Sequence, residues 1–427
     1  MNANSWYSHI VLYLGMTIYL LGVIRLVLFV PFAVWFDLRR GQVKPNLNKD
    51  DNAAEFRTNS LSLSVVIPAY NEAVVLEPCI HSLMASKYPI EEIALIDDGS
   101  SDNTYDIMQE LAARYEIVAA YTKPNGGKAS ALNFGIERVH SQAIICCDAD
   151  GVFHPETLQR LVEPLTDPRI GAVCGDDRTL NTNVLQTKFL ALISHVGTGL
   201  TRRALHLLGC LPIVSGNIGA FSRTALTKAG PFNEHVLGED LEMTWRIHRV
   251  GFHVAFEPSA IVFAESPCTA RGLWRQRVRW ARGFLQTAAI HKDMIGSRRY
   301  GTFGFGLIYF VMSAGLVPFA QFLTLPTFLW ALITQSGRGT TLWGWWVGGL
   351  IVSALMLLIA IILNHAWRDI KHLWLLPVWP VYSTYMGAAF IRAAYLELRK
   401  APQRWNKLDR SGVRSVDIPA AEGGPIP

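Results

Sequence analysis

Apolar residues crowd the two ends of this chain and thin out in its middle, and that division restricts the fold more than any single motif. From His9 to Phe36 the sequence is nearly all apolar, interrupted only by Arg25. Wound as a helix at about 1.5 Å per residue, such a run exceeds a hydrocarbon core of ~30 Å. It lacks a basic leading region and a small-residue cleavage site, so it is expected to remain as a transmembrane helix. Arg39, Arg40 and Lys44 follow it and nothing positive precedes Arg25, which puts the amino terminus outside and the middle of the chain in the cytoplasm. Arg25 is expected to snorkel or to face other helices.

Three further apolar stretches cover about 303–334, 343–363 and 373–396. Pro318 and Pro326 break the first, which predicts one kinked span or a span plus an interfacial or re-entrant piece. Three crossings would leave the carboxyl terminus outside, whereas Arg392, Arg399, Lys400, Arg404, Lys407 and Arg410 argue for the inside. The count therefore stays at three or four. His365, Arg368 and Lys371 fall in a predicted loop and do not suggest a proton relay. The tail Ser411–Pro427, rich in Pro, Gly and Ala, is expected to be disordered.

Half of the 427 residues are hydrophobic and the formal charge is +5. The cations gather beside the apolar segments, which suits a lipid bilayer or an anionic diphosphate better than nucleic acid, for which no motif is present. The six cysteines form no C-x-x-C pair and are expected as buried, reduced thiols.

Between about Leu63 and Lys292, strand-like and helix-like runs alternate. Leu63–Pro68, Ile93–Ile96 and Ala143–Cys147 are short and continuously apolar. Helical patterns follow them over Glu72–Ala85, Asp102–Arg114 and Pro155–Leu165, with Asp102 as a helix N-cap. Continuously apolar strands separated by helices predict a mostly parallel sheet covered on both faces, an α/β domain. Ligands bind such sheets at the carboxyl ends of the strands, where Asp97-Asp98 and Asp148 fall.

Several polar groups carry chemistry. Asp148-Ala149-Asp150 closes an apolar strand, and two hard carboxylates there suit a Mg2+ or Mn2+ ion completed by water and substrate phosphate. Asn125-Gly126-Gly127-Lys128 puts a cation at a helix start after a flexible turn, an arrangement that favours a diphosphate. Gly238-Glu239-Asp240 opens a helix over Leu241–Val250 that ends at Gly251. Gln276, Arg279 and Trp280 stand at i, i+3 and i+4 on a predicted amphipathic helix, so one face presents all three. Arg279 suits a diphosphate and Trp280 a sugar ring, although a basic face of this kind could also meet lipid headgroups. Gly175-Asp176-Asp177-Arg178 is expected as an acidic turn with a structural or acceptor-side role.

In this order, just before a membrane domain, the stations resemble those of processive, membrane-bound family-two glycosyltransferases, the cellulose, chitin, hyaluronan and poly-N-acetylglucosamine synthases. The resemblance covers roughly Ser64 to Gly283. It implies a GT-A, Rossmann-like fold, a UDP-sugar donor and a growing polysaccharide as acceptor. On the donor side it implies Pro68, Ala69, Tyr70 and Glu72 around the base, Asp98 on the uracil-ribose side, and Lys128, Asp148 and Arg279 toward the diphosphate. Asp150 and Asp148 would hold the metal. Asp240 would be the general base, with Glu239, Ser215, Gly216, Gln276 and Trp280 beside the acceptor; for the Val214–Phe221 turn, close chain packing is an equally good account. No F-x-V-T-x-K loop follows Trp280, and the tail carries no recognisable cyclic-nucleotide receptor domain. One amino-terminal span and a short carboxyl-terminal bundle look closer to poly-N-acetylglucosamine and chitin synthases, which makes UDP-N-acetylglucosamine the preferred donor. The expected organisation is a transmembrane helix over 1–36, a linker over 37–62, a cytoplasmic transferase domain over 63–292, an interfacial helix and transmembrane bundle over 293–398, and a basic, then disordered tail over 399–427. A multi-pass inner-membrane protein follows, with accessory subunits left open. Two alternatives are a non-processive transferase of one sugar to a polyprenyl phosphate and a non-catalytic nucleotide-sugar-binding receptor or transporter.

Overall fold

A computed structural model of the chain describes residues 3–42, 60–333 and 339–402. Helix α1 (Ala3–Gln42) leads to β1 (Leu63–Ala69), α2 (Leu76–Met84), β2 (Glu92–Asp97), α3 (Thr104–Arg114), β3 (Val118–Thr122), α4 (Lys128–Ile136), β4 (Ala143–Cys146), β5 (Val152–Phe153) and α5 (Thr157–Val162). Then come β6 (Ile170–Thr179), α6 (Leu185–His195), a π-helical turn (Val196–Arg202), α7 (Arg203–Leu207), β7 (Gly219–Ser222), α8 (Arg223–Ala229), α9 (Glu239–Arg249), β8 (His253–Ala264) and α10 (Ala270–Ile290). The remaining helices are α11 (Gly301–Val311), α12 (Val317–Ile333), α13 (Gly339–Leu363) and α14 (Trp379–Leu398).

The strands form one sheet in the order β3-β2-β1-β4-β7-β6-β8-β5. Its first four strands pair in parallel as expected. At β7 the direction reverses against both β4 and β6, and β5 is antiparallel to β8, so the sheet is mixed rather than mostly parallel. Continuous apolarity reports burial on two faces but carries no information on strand direction. Alternate residues of β1 feed the two faces: Val65 and Ile67 pack with Leu95 and Ile145 on one, Val66 with Ile96 and Ile144 on the other. Asp176 and Asp177 lie inside β6 and not in a turn. Five cysteines are buried free thiols, while Cys268 is exposed, contrary to expectation.

Helix α1 does not stop at residue 36 but continues to Gln42, and its end docks on the domain built around the sheet. Asp37 meets Arg203 at 3.0 Å, and Arg40 pairs with Glu257 of β8. Arg25 faces another helix, its guanidinium 6.0 Å from the Tyr309 ring centroid. The first carboxyl-terminal apolar stretch is helical throughout, with a π-helical turn at Met312–Leu316 placed just before Pro318. Proline lacks an amide donor and clashes with the preceding turn, and a local widening of the helix absorbs both effects. The amphipathic helix that precedes this stretch is α10, inside the transferase region; Lys292–Met294 and Arg298–Tyr300 form only 3-10 turns. Among the described residues, one helix is long and apolar enough to cross a membrane, Arg298–Ala320, and Val347–Leu363 is a shorter apolar helix. Most of the expected linker and the tail from 403 onward lie outside the described residues.

A buried polar cluster joins these parts. Asn364, at the end of α13, accepts from Arg203 at 2.6 Å and donates to Thr198 Oγ1 at 2.8 Å. Its amide also meets His195 Nδ1 at 3.1 Å, while His195 Nε2 lies 2.8 Å from Asp369. Gly199 lies so close to α13 that an added Cβ would meet the Ala360 carbonyl at 2.7 Å. Replacement Asn364→Leu removes one partner each from Arg203, Thr198 and His195, which keep their other contacts, and is expected to cost about 1–3 kcal/mol. A thermal melt of the full chain in detergent checks this; an unchanged midpoint would count against the cluster as a fastening point.

Candidate active site

The left-handed backbone of Gly127 (φ +88°) turns the chain so that Lys128 becomes the first residue of α4. From there its ammonium reaches three separate elements. It lies 2.5 Å from Asp148 Oδ1 at the end of β4, 3.3 Å from Glu239 Oε1 at the start of α9, and 3.5 Å from the Gly216 carbonyl. The Gly216 amide in turn donates to Asp240 Oδ2 at 3.0 Å. Lys128, Ser215, Gly216, Glu239 and Asp240 line one small pocket, floored by Cys146, Val214 and Phe221.

The electrostatics follow from this crowding. Burial pulls the Lys128 ammonium toward neutrality, but Asp148, Glu239 and Asp240 outweigh it and hold its pKa above the ordinary value. Asp240 is pushed up to about 6, first by burial and then by the neighbouring Glu239 charge. Lys128, the Leu241 amide and Arg279 pull it back down. Arg279 on α10 is therefore electrostatically coupled to Asp240, although the two stations are far apart in sequence.

Beside this pocket, Asp98 is held by partners within the chain. Asp98 is 1% exposed, and its oxygens accept from Lys123 Nζ (2.7 Å), Gly126 N (2.9 Å) and Gly127 N (2.7 Å). Both oxygens serve the loop that delivers Lys128, so this carboxylate shapes the site from beneath. Pro68 and Ala69 are likewise buried in β1, while Tyr70 and Glu72 are half-buried beyond the strand end. Asn71 Oδ1 accepts from Ser101 N at 2.7 Å, which fastens the Tyr70 turn to the loop after β2. Gly99 (φ +73°) has no room for a side chain, since a Cβ would sit 2.9 Å from Asn125 N. Asp102 accepts from Thr104 N at 3.0 Å from just outside the helix, and the N-cap position itself is Asn103.

On the α10 side, Gln276, Arg279 and Trp280 lie on one helix, as expected. Trp280 is 47% exposed, and Arg277 stacks on its ring at 4.3 Å. The same helix touches the loop before Asp240, since a Cβ on Gly283 would meet Gly238 N at 2.6 Å. Asp177 joins this side through Arg202 (2.7 Å) and Ser215 (3.5 Å). Lys123, Arg202, Gly283 and Gln286 were not singled out from sequence. A glycine inside a helix costs about 1 kcal/mol, so Gly283 was the one with a readable signal.

The fit for a metal rests on the donor set. Asp148 is partly exposed at the strand end and Asp150 is buried two residues on. Among the described residues, no group of three or more His, Cys, Asp or Glu stands ready to enclose an ion. The site thus fits a hard cation that takes most of its oxygens from phosphate and water.

Residues 64–226 match the model of glycosyl transferase family 2. The chain is 30% identical over 254 residues to poly-beta-1,6-N-acetyl-D-glucosamine synthase of Staphylococcus aureus (strain COL), covering 59% of this chain and 60% of that protein. It is 32% identical over 222 residues to the synthase of the same name from Staphylococcus epidermidis, covering 52% of this chain and 54% of that one. The match therefore spans less than two thirds of those relatives. The mannosyltransferase PcManGT from Pyrobaculum calidifontis, solved with GDP-Man and Mn2+, aligns over 92% of this chain and 100% of its own, with a TM-score of 0.62 and 20% identity. The central fold is thus of the GT-A nucleotide-sugar transferase type. The chain carries a family-two glycosyltransferase domain.

Replacement Asp98→Asn turns one acceptor into a donor facing donors. It is expected to lower stability by about 1–3 kcal/mol and to weaken binding of UDP through the displaced Lys128. Thermal melts and calorimetric titration with UDP read the two effects, and intact binding would separate Asp98 from the Lys128 loop.

Proposed function

We propose that the protein is an inverting, metal-dependent β-glycosyltransferase that lengthens a polysaccharide from a UDP-sugar, with UDP-N-acetylglucosamine as donor. The observation that carries the reading is the convergence of Asp148, Glu239 and Asp240 on one buried ammonium, Lys128. The family match and the named activity of the two synthases support the reaction class and the choice of sugar.

In this reading the donor lies along the ends of β1, β2 and β4, with Tyr70 against the base and Glu72 nearby. Lys128 and Arg279 hold the diphosphate. Asp148 and Asp150 would bind a Mg2+ or Mn2+ ion, which when bound neutralises the charge growing on the departing diphosphate. Trp280, backed by Arg277, offers a flat ring to the acceptor sugar, and Ser215, Gly216 and Gln276 complete that side. Asp240 takes the proton from the acceptor hydroxyl as it attacks the anomeric carbon. Single displacement needs one carboxylate on the acceptor side and no covalent nucleophile. Glu239 supports Asp240 by raising its proton affinity. The domain faces the cytoplasm of a multi-pass inner-membrane protein, and the polysaccharide leaves between its own helices.

Purified full-length protein in detergent is expected to release UDP from UDP-N-acetylglucosamine with Mn2+ or Mg2+ and to form long product. Asp240→Asn is expected to lower kcat by about 10²–10⁴-fold. No UDP release from the wild type, or an active Asp240→Asn protein, would falsify the reading.

A base must be deprotonated, so kcat/KM is expected to fall as pH drops through about 6. Glu239→Gln removes a neighbouring negative charge that raises Asp240, so the acidic limb should move to lower pH. A pH–rate profile with the limb unmoved or shifted upward would remove Glu239 from this role.

A further inference from the structure

The loop that carries Asp240 is tied to the last apolar helix through one side chain. Gln286, on the fifth turn of α10, accepts from the Leu237 amide at 2.9 Å, three residues before Asp240. Its own amide donates to Glu397 Oε1 at 3.1 Å, on the last turn of α14. Glu397 also pairs with Arg282, one turn earlier on α10. Arg282 is nearly buried and donates further to the Ala401 carbonyl (2.8 Å) and the Pro402 carbonyl (3.2 Å). Between these contacts, Gly283 presses backbone to backbone on Gly238.

Each link has a reason to hold its geometry. A primary amide can accept from one partner and donate to another, whereas a carboxylate or an ammonium cannot do both. The Glu397 oxygen is held by a charged guanidinium as well as by Gln286, and such hydrogen bonds are stronger than neutral ones. The glycine contact leaves no slack between α10 and the Leu237-Gly238 turn, so a shift of one is passed to the other.

We propose that Gln286 is a positioning residue, which through Glu397 and Arg282 sets the Asp240 loop according to the placement of the last apolar helix. Opening of the α14 end would release Gln286, loosen Leu237 and Gly238, and move Asp240 away from the acceptor. The catalytic carboxylate is thereby aligned only when the carboxyl-terminal helices are packed. This inference rests on the reading of Asp240 as the acceptor-side base.

The test uses full-length protein in detergent with UDP-N-acetylglucosamine and Mn2+. Gln286→Leu removes both hydrogen bonds while keeping similar bulk. Expected are a kcat lowered about tenfold with donor KM within about threefold, and amide exchange at residues 237–241 faster by about tenfold. Gln286→Glu keeps the acceptor for Leu237 but opposes Glu397, and should be similarly impaired. Adding Glu397→Gln restores a carboxylate–amide pair in reversed order, and should recover at least half of the lost rate. The proposal is overturned if Gln286→Leu leaves both kcat and exchange at 237–241 within twofold of wild type, or if the paired exchange recovers nothing. Should the wild type release no UDP, the transferase reading falls, while amide exchange in the same variants still decides whether Gln286 fastens the loop.

Discussion

Crowding carboxylates into one cleft is unfavourable unless a cation stands among them, and Lys128 is that cation. Two unit charges at 4 Å interact by about 4 kcal/mol at the effective dielectric near a protein surface. Without the ammonium, Asp148 would repel Glu239 and Asp240 across two different elements, and the end of β4 would part from the start of α9. With it, an acidic site is kept compact before any substrate arrives. The rest of the site is arranged around delivering this side chain. Asp98 gathers the amides of Gly126 and Gly127, Gly127 adopts the left-handed turn, and Lys128 emerges as the first residue of a helix.

The same crowding divides the carboxylates by role. Asp148 sits at a strand end with a partly exposed side chain, in the position of a group that meets phosphate-bound cations. Asp240 is half-buried beside the buried Glu239, and desolvation with a neighbouring like charge raises its pKa to about 6. A carboxylate in that range is a stronger proton acceptor than an ordinary aspartate and still mostly ionised near neutrality. Two acidic stations far apart in the chain would thus serve the proposed reaction differently, one as an electrostatic anchor and one as a base, because their environments differ.

The parts of this arrangement that sequence made legible are those with a local signature. Apolar runs such as Ala143–Cys147 announced buried strands, and the polar groups after them fell at strand ends because a parallel strand must leave the sheet there. The start of α9 and its end at Gly251 followed from capping chemistry. What stayed hidden depends on partners distant in the chain. The resemblance marked Asp98, yet the loop that it gathers, Lys123 to Gly127, lies more than twenty residues on. The direction of β7, the helical extension of α1 past Phe36, and the Asn364–Arg203–His195 cluster had no periodic or local trace. Gly283 alone gave a hint, as a helix-interior glycine with no turn to explain it.

The two hidden fastenings share a consequence for how the domains communicate. The Asn364 cluster holds the end of α13 against α6, β6 and the end of α1, on the sheet side of the site. The Gln286–Glu397 contact holds the end of α14 against the Asp240 loop, on the other side. Both use helix-end residues, where backbone carbonyls lack intrahelical partners and readily accept from Arg203 or Arg282. Helices α13 and α14 are therefore each fastened by polar contacts at the end that carries Asn364 or Glu397. Under the proposed coupling, a shift of α14 would reach Asp240 through Gln286 and through the close contact of Gly283 with Gly238.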